Sequence, residues 1–407
     1  MNTPRVSGWS WLRALSRPML VLLALQLLSG MVSSPQRTFF PLYAKELGYS
    51  TLFISWMATA QRLTGLGAAA LGGALSDTLG RERTLLLGHV GVLLAGLVFF
   101  TPSAGAIIVL CALSGIGLSF QTLGGQSYLL DNARPEWMGV LTALYNWGYT
   151  LGGALGGPLA GLLLRDANYR PFGIALVAAS VLTLLINLLL LPRSRASSGR
   201  PPPGAHLGGY GTIARRPAGW LLAAMRFLPT FYWGMALILV PLMLDAAGAS
   251  KQTIALYATV SQVVATIAQL VAGRAADRLG CRLPTLLAFA VLVASVLATA
   301  LAAETLWGVF VFGTLGAASA WALSTLLPCL VARITPSAER GRVLGWIHLW
   351  WNAGMVLGSL TGGALYEHSA GLPFGVAAAG IAAVFLVSAV SLPRLLAQPI
   401  EDEVAAV

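Results

Sequence analysis

The sequence predicts an all-α integral membrane protein with twelve transmembrane helices in two pseudo-symmetric six-helix bundles. The 407 residues are 57% hydrophobic and only 10% charged, and the mean hydropathy is +0.77. In soluble domains about a quarter of the residues are charged. The chain has room for about a dozen membrane-spanning helices of ~20 residues with short loops. A glycine-and-charge motif also recurs after 200 residues, which indicates two related halves.

The repeated motif ends a long apolar run in each half. Its two copies are Gly73-Ala74-Leu75-Ser76-Asp77-Thr78-Leu79-Gly80-Arg81-Glu82-Arg83 and Gly273-Arg274-Ala275-Ala276-Asp277-Arg278-Leu279-Gly280-Cys281-Arg282. A Pro-Leu pair, a Pro-Phe-Gly triplet and a Leu-Pro-Arg triplet recur at nearly the same offset. A duplicated, hydrophobic chain of this kind is typical of transporters whose membrane halves move against each other around a shared site.

Twelve apolar runs define the expected spans in chain order. They are 18–43, 52–76, 84–101, 105–130, 137–164, 170–191, 219–244, 253–276, 284–302, 305–333, 341–366 and 371–392. A stretch rich in Pro, Gly, Ser and Arg follows the sixth run, and this composition indicates a flexible tether. The expected segments are a cytoplasmic N-terminus (1–17), a first bundle (18–191), a cytoplasmic linker (192–218), a second bundle (219–393) and a cytoplasmic tail (394–407).

The distribution of arginine and lysine predicts the orientation of these spans. With the N-terminus inside, eighteen basic residues fall in cytoplasmic segments and four in outer loops. The positive-inside rule then places both termini in the cytoplasm, and the net charge of +11 reflects topology, not nucleic-acid binding. We expect a monomer in the inner membrane of a prokaryote, without a cofactor. The isolated cysteines Cys111, Cys281 and Cys329 indicate neither a disulfide framework nor a metal cluster.

The first copy of the motif, between spans 2 and 3, resembles the signature loop of the major facilitator superfamily. The resemblance covers nearly the whole chain and includes Asp131 and Arg134 at the end of span 4. It implies a substrate site near the midplane between the halves, and alternating access. The second copy departs from the family pattern because Cys281 stands where a basic residue is usual, so a latch there is expected to be weaker.

The motif residues are candidates for a conformational latch at the cytoplasmic membrane edge. A lone carboxylate at the position of Asp77 is costly unless it is paired, and Arg81, Arg83 and Arg134 are its candidate partners. A latch would stabilise the outward-open state, and the alternative is a topology anchor with a solvated charge. The full candidate set is Gly73, Asp77, Gly80, Arg81, Arg83, Asp131, Arg134, Gly273, Asp277 and Gly280.

Small residues at helical spacing in span 5 predict close helix packing. They are Gly153, Gly157 and Gly161, with Pro158 beside them. They resemble the span-5 motif of the superfamily's drug–proton antiporters, although Leu144 and Leu162 stand where two further glycines are expected. Cys111 in span 4 occupies the place where such antiporters often carry an arginine. Ordinary tight packing and an export function are both compatible with this pattern.

Three arginines lie within the spans: Arg37, Arg62 and Arg226. No Asp or Glu lies near the midplane to pair with them, and a charge at the bilayer centre costs at least ~2.5 kcal/mol. Arg62 is the deepest, eleven residues into span 2. A basic cavity of this kind favours a ligand with a carboxylate, phosphate or sulfate group. The alternative is that Arg37 and Arg226 extend to opposite interfaces and only Arg62 is buried.

Other polar and aromatic side chains in the spans are candidate substrate contacts: Gln121, Tyr128, Asn146, Tyr149, Gln262, Trp321, His348 and Asn352. Gln121 and Tyr128 are seven residues apart, which places them on one helical face. His348 is the candidate proton carrier because imidazole titrates near neutrality. The alternative for each residue is a hydrogen bond to a neighbouring helix.

These patterns predict a secondary transporter and not an enzyme. The sequence shows no serine–histidine pair, no metal-ligand spacing and no Gly-x-x-x-x-Gly-Lys loop for ATP. The leading hypothesis is an exporter of small, amphipathic organic anions, coupled to H⁺ or a counter-anion. The alternatives are an organic-anion importer or exchanger, and a lipid or lysolipid translocator.

Overall fold

Long helices make up most of the computed structural model, which describes residues 15–132, 138–164, 168–193, 210–336 and 339–397. Within these ranges twelve long helices and one short helix are present. They are α1 Arg17–Glu46, α2 Thr51–Leu79, α3 Arg81–Leu97, α4 Ala104–Asn132, α5 Met138–Leu163, α6 Tyr169–Leu190, α7 Tyr210–Ala214, α8 Pro217–Ala246, α9 Lys251–Leu279, α10 Arg282–Leu301, α11 Leu306–Ile334, α12 Arg340–Tyr366 and α13 Leu372–Leu396.

The twelve long helices coincide with the twelve predicted spans, with ends that differ by at most four residues. By length and composition, nine helices in the described ranges are apolar enough to cross a membrane. The predicted all-α membrane fold is therefore confirmed. A 3₁₀ turn of residues Val98–Phe100 directly continues α3, so the third span extends to the end that its apolar run predicts.

The duplication is visible in the backbone of the turns. Gly48 and Gly248 have φ of 87° and 81°, and Gly80 and Gly280 have φ of 95° and 77°. Residues with a side chain rarely adopt such values. The turn after α1 and the turn after α8 thus share one conformation, as do the turns after α2 and α9.

The chain divides into two compact units. In the described ranges the first unit contains residues 15–37 and 60–193, and the second contains 38–59 and 210–397. The end of α1 and the start of α2 therefore group with α8–α13, whereas the sequence assigned them to the first bundle. Two contacts explain this grouping: Lys251 Nζ lies 2.9 Å from Glu46 Oε1, and the Leu52 N–H donates to Glu367 at 3.2 Å.

Several predicted features lie outside the described residues. They are the linker segment 194–209, the terminal residues 1–14 and 398–407, and Arg134. Residues 69–78 are helical, but their side chains, including that of Asp77, are also outside the described part of the chain. The predicted domain boundaries stay a prediction.

Glycines on α5 allow the first unit to pack tightly. Gly152 and Gly156 lie against the backbone of Leu27 and Met31 in α1, so closely that a Cβ on either glycine would collide with a carbonyl oxygen. The predicted Gly153 also lies close to α1, where an added Cβ would stand 2.9 Å from the Ser34 Cβ. A core of Met19, Leu22, Leu25, Leu85, Tyr128, Leu129, Leu141, Tyr145 and Leu191 lies beside these glycines.

The second unit repeats this packing on its central helix, α8, which contacts α9, α11, α12 and α13. Gly354 and Gly358 of α12 lie against the backbone of Phe227 and Phe231. Both glycines follow their α5 counterparts by 202 residues. The face that α5 turns to α1 is therefore the face that α12 turns to α8. Residues of α5 and α12 that are 202 apart in the sequence thus occupy equivalent positions in the two units.

Candidate functional site

An arginine and three tryptophans line a pocket in the second unit. Arg226 Nη1 donates to Ser324 Oγ at 2.8 Å, and its guanidinium carbon lies 6.0 Å from the ring centroid of Trp351. The rings of Trp233 and Trp321 meet edge to face with centroids 6.0 Å apart. Arg226, Thr230 and Trp233 of α8 line this one pocket together.

His348 of α12 lies beside this pocket. Its imidazole stacks on Trp351 with centroids 5.2 Å apart and planes 16° from parallel. His348 also lines an adjoining cavity together with Arg226 and Ser324. Asn352, one turn further along α12, donates to the His348 carbonyl oxygen at 2.9 Å, so its amide is directed along the helix.

The first unit has a smaller polar pocket around Arg37. Arg37 Nε donates to the Ser33 carbonyl oxygen at 3.1 Å, and Nη2 donates to the Tyr149 hydroxyl. The guanidinium carbon lies 5.7 Å from the Tyr149 ring centroid. Gln61 and Ser114, which bond to each other at 2.8 Å, line the same pocket.

Tyr149 and Trp351 occupy equivalent positions in the two units. They are 202 residues apart, the same offset as the glycines that fix α5 on α1 and α12 on α8. Each aromatic ring faces an arginine, Arg37 in the first unit and Arg226 in the second. Each unit therefore presents one guanidinium beside one aromatic ring.

Arg62 adds positive charge to the first unit. It is half-buried, and among the described residues it makes no hydrogen bond or ion pair. The like charge of Arg37 also acts on it. An unpaired, half-buried guanidinium beside a second one is costly, and an anion between them would relieve that cost.

The described carboxylates lie away from the three arginines. Those with ion pairs are at helix ends: Asp131 pairs with Arg81, Glu339 with Arg216 and Arg342, and Glu46 and Asp245 with Lys251. No described Asp or Glu contacts Arg37, Arg62 or Arg226. Within the described part of the chain, the positive charge of these pockets has no protein counter-charge.

Four predicted substrate contacts lie elsewhere in the described structure. Tyr128 is fully buried in the core of the first unit, where its hydroxyl donates to the Pro192 carbonyl oxygen at 2.9 Å. Gln121 is buried where α4 meets Gly88 of α3, and its amide has no partner among the described residues. Asn146 is exposed and Gln262 is half-buried, and neither lines a described pocket.

The predicted latch motif forms one clear ion pair in the described residues. Arg81 Nε lies 3.0 Å from Asp131 Oδ2, which joins the start of α3 to the end of α4. Arg83 and Asp277 are exposed, and a Cβ added at Gly273 would meet only Thr325 Cγ2, at an ordinary 3.9 Å. Among the described residues, the Asp131 carboxylate of α4 is thus one partner of Arg81.

The structure corrects one sequence-based expectation. Cys281 and Cys329 are joined in a disulfide, with Cα atoms 6.2 Å apart, although their spacing in the sequence gives no sign of pairing. Cys281 precedes α10 and Cys329 lies near the end of α11, and packing of α10 on α11 brings them together. Cys111 is free and buried, as expected for an isolated cysteine.

Comparison with known protein families decides which fold this is. The family model described as Major Facilitator Superfamily matches residues 22–242 and 222–404. The chain belongs to the Major Facilitator Superfamily. Membership confirms the resemblance drawn from the motif after span 2, and it identifies the chain as an integral membrane transporter and not an enzyme.

Several superfamily members of known or suggested activity are similar in sequence. Puromycin resistance protein pur8 of Streptomyces alboniger is 31% identical over 204 residues, which is 48% of this chain and 40% of that protein. Multidrug efflux pump LfrA of Mycolicibacterium smegmatis is 30% identical over 40% of this chain and 32% of its own length. The chain thus matches less than half the length of these relatives. Multidrug resistance protein 2 of Bacillus subtilis is 25% identical over 82% of this chain and 85% of its own length.

Solved structures of the superfamily share the fold. A bacterial homolog of the human lysosomal transporter Spinster, in an inward-facing and occupied conformation, matches with a TM-score of 0.67. The match covers 93% of this chain and 94% of that one at 15% sequence identity. The likeness concerns the course of the backbone over almost the whole superfamily domain.

Proposed function

We propose that this chain exports small, amphipathic organic anions across the inner membrane of a bacterium by alternating access. One observation carries the proposal. Both units present a guanidinium beside an aromatic ring, Arg37 with Tyr149 and Arg226 with Trp351, and no described carboxylate neutralises either one. A ligand with an anionic group and a flat apolar body satisfies both features.

The chemistry of the pocket around Arg226 supports this substrate class. A guanidinium has a planar set of donors that matches the oxygens of a carboxylate or sulfonate. Tryptophan faces offer a large apolar surface for ring stacking, and aromatic pairs prefer offset or edge-to-face geometry. The edge-to-face contact of Trp233 and Trp321 leaves ring surface of this kind at the pocket wall.

The direction and orientation rest on two further arguments. The names of three relatives describe drug resistance or efflux, which supports export. The eighteen-to-four excess of basic residues on one side supports a cytoplasmic location for both termini, for the Arg81 loop and for the Cys281 loop. The monomeric state remains part of the proposal.

A ligand series that varies charge at constant shape tests the substrate class. Purified protein in detergent is heated with naphthalene-2-sulfonate, 2-naphthol or 2-naphthylmethylammonium, because a ligand that binds the folded state raises the melting temperature. We expect the sulfonate to give the largest rise and the ammonium compound none. A rise with the ammonium compound alone contradicts the anion proposal. A larger rise with an anionic lysolipid than with the sulfonate favours the translocator alternative.

His348 is the proposed proton carrier because it stacks on Trp351 beside Arg226. In proteoliposomes, an imposed pH gradient should drive naphthalene-2-sulfonate uptake by the wild type. His348→Gln should remove this drive and retain downhill exchange, because glutamine keeps polarity but cannot titrate. Asn352→Ala is the matched control on the same helix. Full uphill transport by His348→Gln contradicts the assignment, and coupling would then be to a counter-anion.

The Arg81–Asp131 ion pair is the proposed latch, since it fixes the loop before α3 on the end of α4. Arg81→Gln should raise amide hydrogen exchange in the first turn of α3 by a factor of about two to five, because the two side chains are only 15% and 20% exposed and a partly exposed ion pair contributes ~0.5–1 kcal/mol. Arg83→Gln, two residues away and exposed, is the control and should change nothing. Equal exchange in the wild type and Arg81→Gln removes the latch proposal.

A further inference from the structure

The disulfide between Cys281 and Cys329 lies at a position that repeats the Arg81–Asp131 ion pair. Arg81 directly follows Gly80, and Cys281 directly follows Gly280, at two turns of the same positive-φ conformation. Asp131 lies in the last turn of α4, and Cys329 in the last two turns of α11. In the first unit Arg81 is thus joined to the end of α4. In the second unit Cys281 is joined to the end of α11.

The geometry is suited to a reversible cross-link. The Cα separation of 6.2 Å falls within the range of disulfides that form without moving the backbone, about 4.4–6.8 Å. Cys281 is 4% exposed, whereas Cys329 is half-buried. Cys329 is therefore the sulfur that an external reagent reaches first.

We propose that Cys281 and Cys329 form a redox-controlled modification site in which a disulfide takes the place of the first unit's ion pair. The inference rests on the proposed orientation, which places this loop in the cytoplasm, and it is independent of the substrate class. Cytosolic thiols are normally kept reduced. The pair is then a dithiol in unstressed cells and closes when the cell is oxidised.

The reaction is a thiol–disulfide exchange with a low-molecular-weight disulfide such as oxidised glutathione. The Cys329 thiolate, having lost its proton to solvent, attacks one glutathione sulfur, forms a mixed disulfide and releases one glutathione thiolate. Cys281, likewise deprotonated, attacks the Cys329 sulfur of the mixed disulfide and releases the second glutathione. Two protein thiols are oxidised, one disulfide is reduced to two glutathione molecules, and the released thiolates take up the two protons.

Thiol counting and melting temperature test the site together. Purified full-length protein is equilibrated in buffers of different reduced-to-oxidised glutathione ratio, denatured, and labelled with a maleimide-linked polyethylene glycol. We expect three labels on the reduced protein and one, on Cys111, after oxidation. The melting temperature of the oxidised form should exceed that of the reduced form by about 2–5 °C, since a cross-link restricts the unfolded chain.

Matched variants and cells make the test decisive. Cys281→Ser should lose the redox-dependent melting difference, whereas Cys111→Ser should keep it. In acid-quenched cells we expect three labels before, and one after, treatment with the thiol oxidant diamide. Three labels in every glutathione buffer contradict the pairing. One label in untreated cells contradicts the reversible site and the proposed orientation, but leaves the ligand series with naphthalene-2-sulfonate unaffected.

Discussion

Gly358→Ala should lower the melting temperature of the protein by roughly 3–4 °C and reduce the yield of monodisperse material. A Cβ at this position would collide with the carbonyl oxygen of Phe231, and the nearby Cα of Phe231 lies 2.9 Å from the same point. The obstacle is backbone, so α12 must move away from α8 for the methyl group to fit. Overpacking of this kind typically costs 1–3 kcal/mol, and a collision between two backbones belongs at the upper end.

A glycine on a neighbouring helix provides the matched control. A methyl group on Gly375 in α13 would have no other atom within 4 Å, so Gly375→Ala adds that group to open space. Alanine is intrinsically better than glycine in a helix by about 1 kcal/mol, and this variant should melt at or slightly above the wild-type temperature. Differential scanning fluorimetry on both variants gives the comparison. Equal melting of Gly358→Ala and Gly375→Ala would show that α12 can move away from α8 at little cost.

The same substitution in the other repeat extends the argument. Gly156→Ala, at the position equivalent to Gly358, should destabilise as Gly358→Ala does, because its Cβ meets the Met31 carbonyl oxygen of α1. The sequence predicted this small-residue face on α5, and the predicted Gly153 also lies close to α1. A run of glycines predicts that another helix approaches closely. Which of the glycines lie against that helix depends on the partner helix, and the run alone does not show it.

The course of the chain was more predictable than the pairing of its side chains. Hydropathy located the twelve long helices because a membrane helix needs a long apolar run. The repeated glycine motif likewise indicated the duplication that the turns show. Tyr128 shows the limit of periodicity. Its seven-residue spacing from Gln121 was correct for a shared face, but the end of α4 enters the core of the first unit, where that face meets other helices.

Partners that are distant in sequence were the least predictable features. Cys281 and Cys329 are separated by 48 residues and lack a spacing motif. Lys251 bonds to Glu46 at 2.9 Å and to Asp245 at 3.0 Å, and no motif links Lys251 with Glu46. Such contacts depend on which helix ends meet in the folded protein, and no local sequence pattern predicts which ends these are. The three membrane arginines were found in advance because a charge within an apolar run is rare and costly.

Arg62→Ala should raise the melting temperature of the protein and lower its affinity for an anionic ligand. Together these two effects test whether the substrate is an anion. Without ligand, the variant should melt a few degrees above the wild type, because it removes a half-buried charge that has no partner among the described residues. With naphthalene-2-sulfonate, binding should weaken about ten- to hundredfold, the loss of a charged hydrogen bond of ~1.5–3 kcal/mol. Isothermal titration calorimetry and melting curves measure the two effects separately.

The comparison with its neighbours separates a substrate contact from a structural residue. Arg37→Ala should melt below the wild type, because Arg37 bonds to the Tyr149 hydroxyl and the Ser33 carbonyl oxygen. Arg62→Lys should restore only part of the affinity, since lysine keeps the charge but loses the planar pair of donors that grips two oxygens. If Arg62 is structural, Arg62→Ala melts lower and binds the sulfonate as the wild type does. The two roles thus predict opposite changes in melting temperature, and only a substrate contact predicts weaker binding of the sulfonate. One pair of measurements therefore decides whether Arg62 binds the anion.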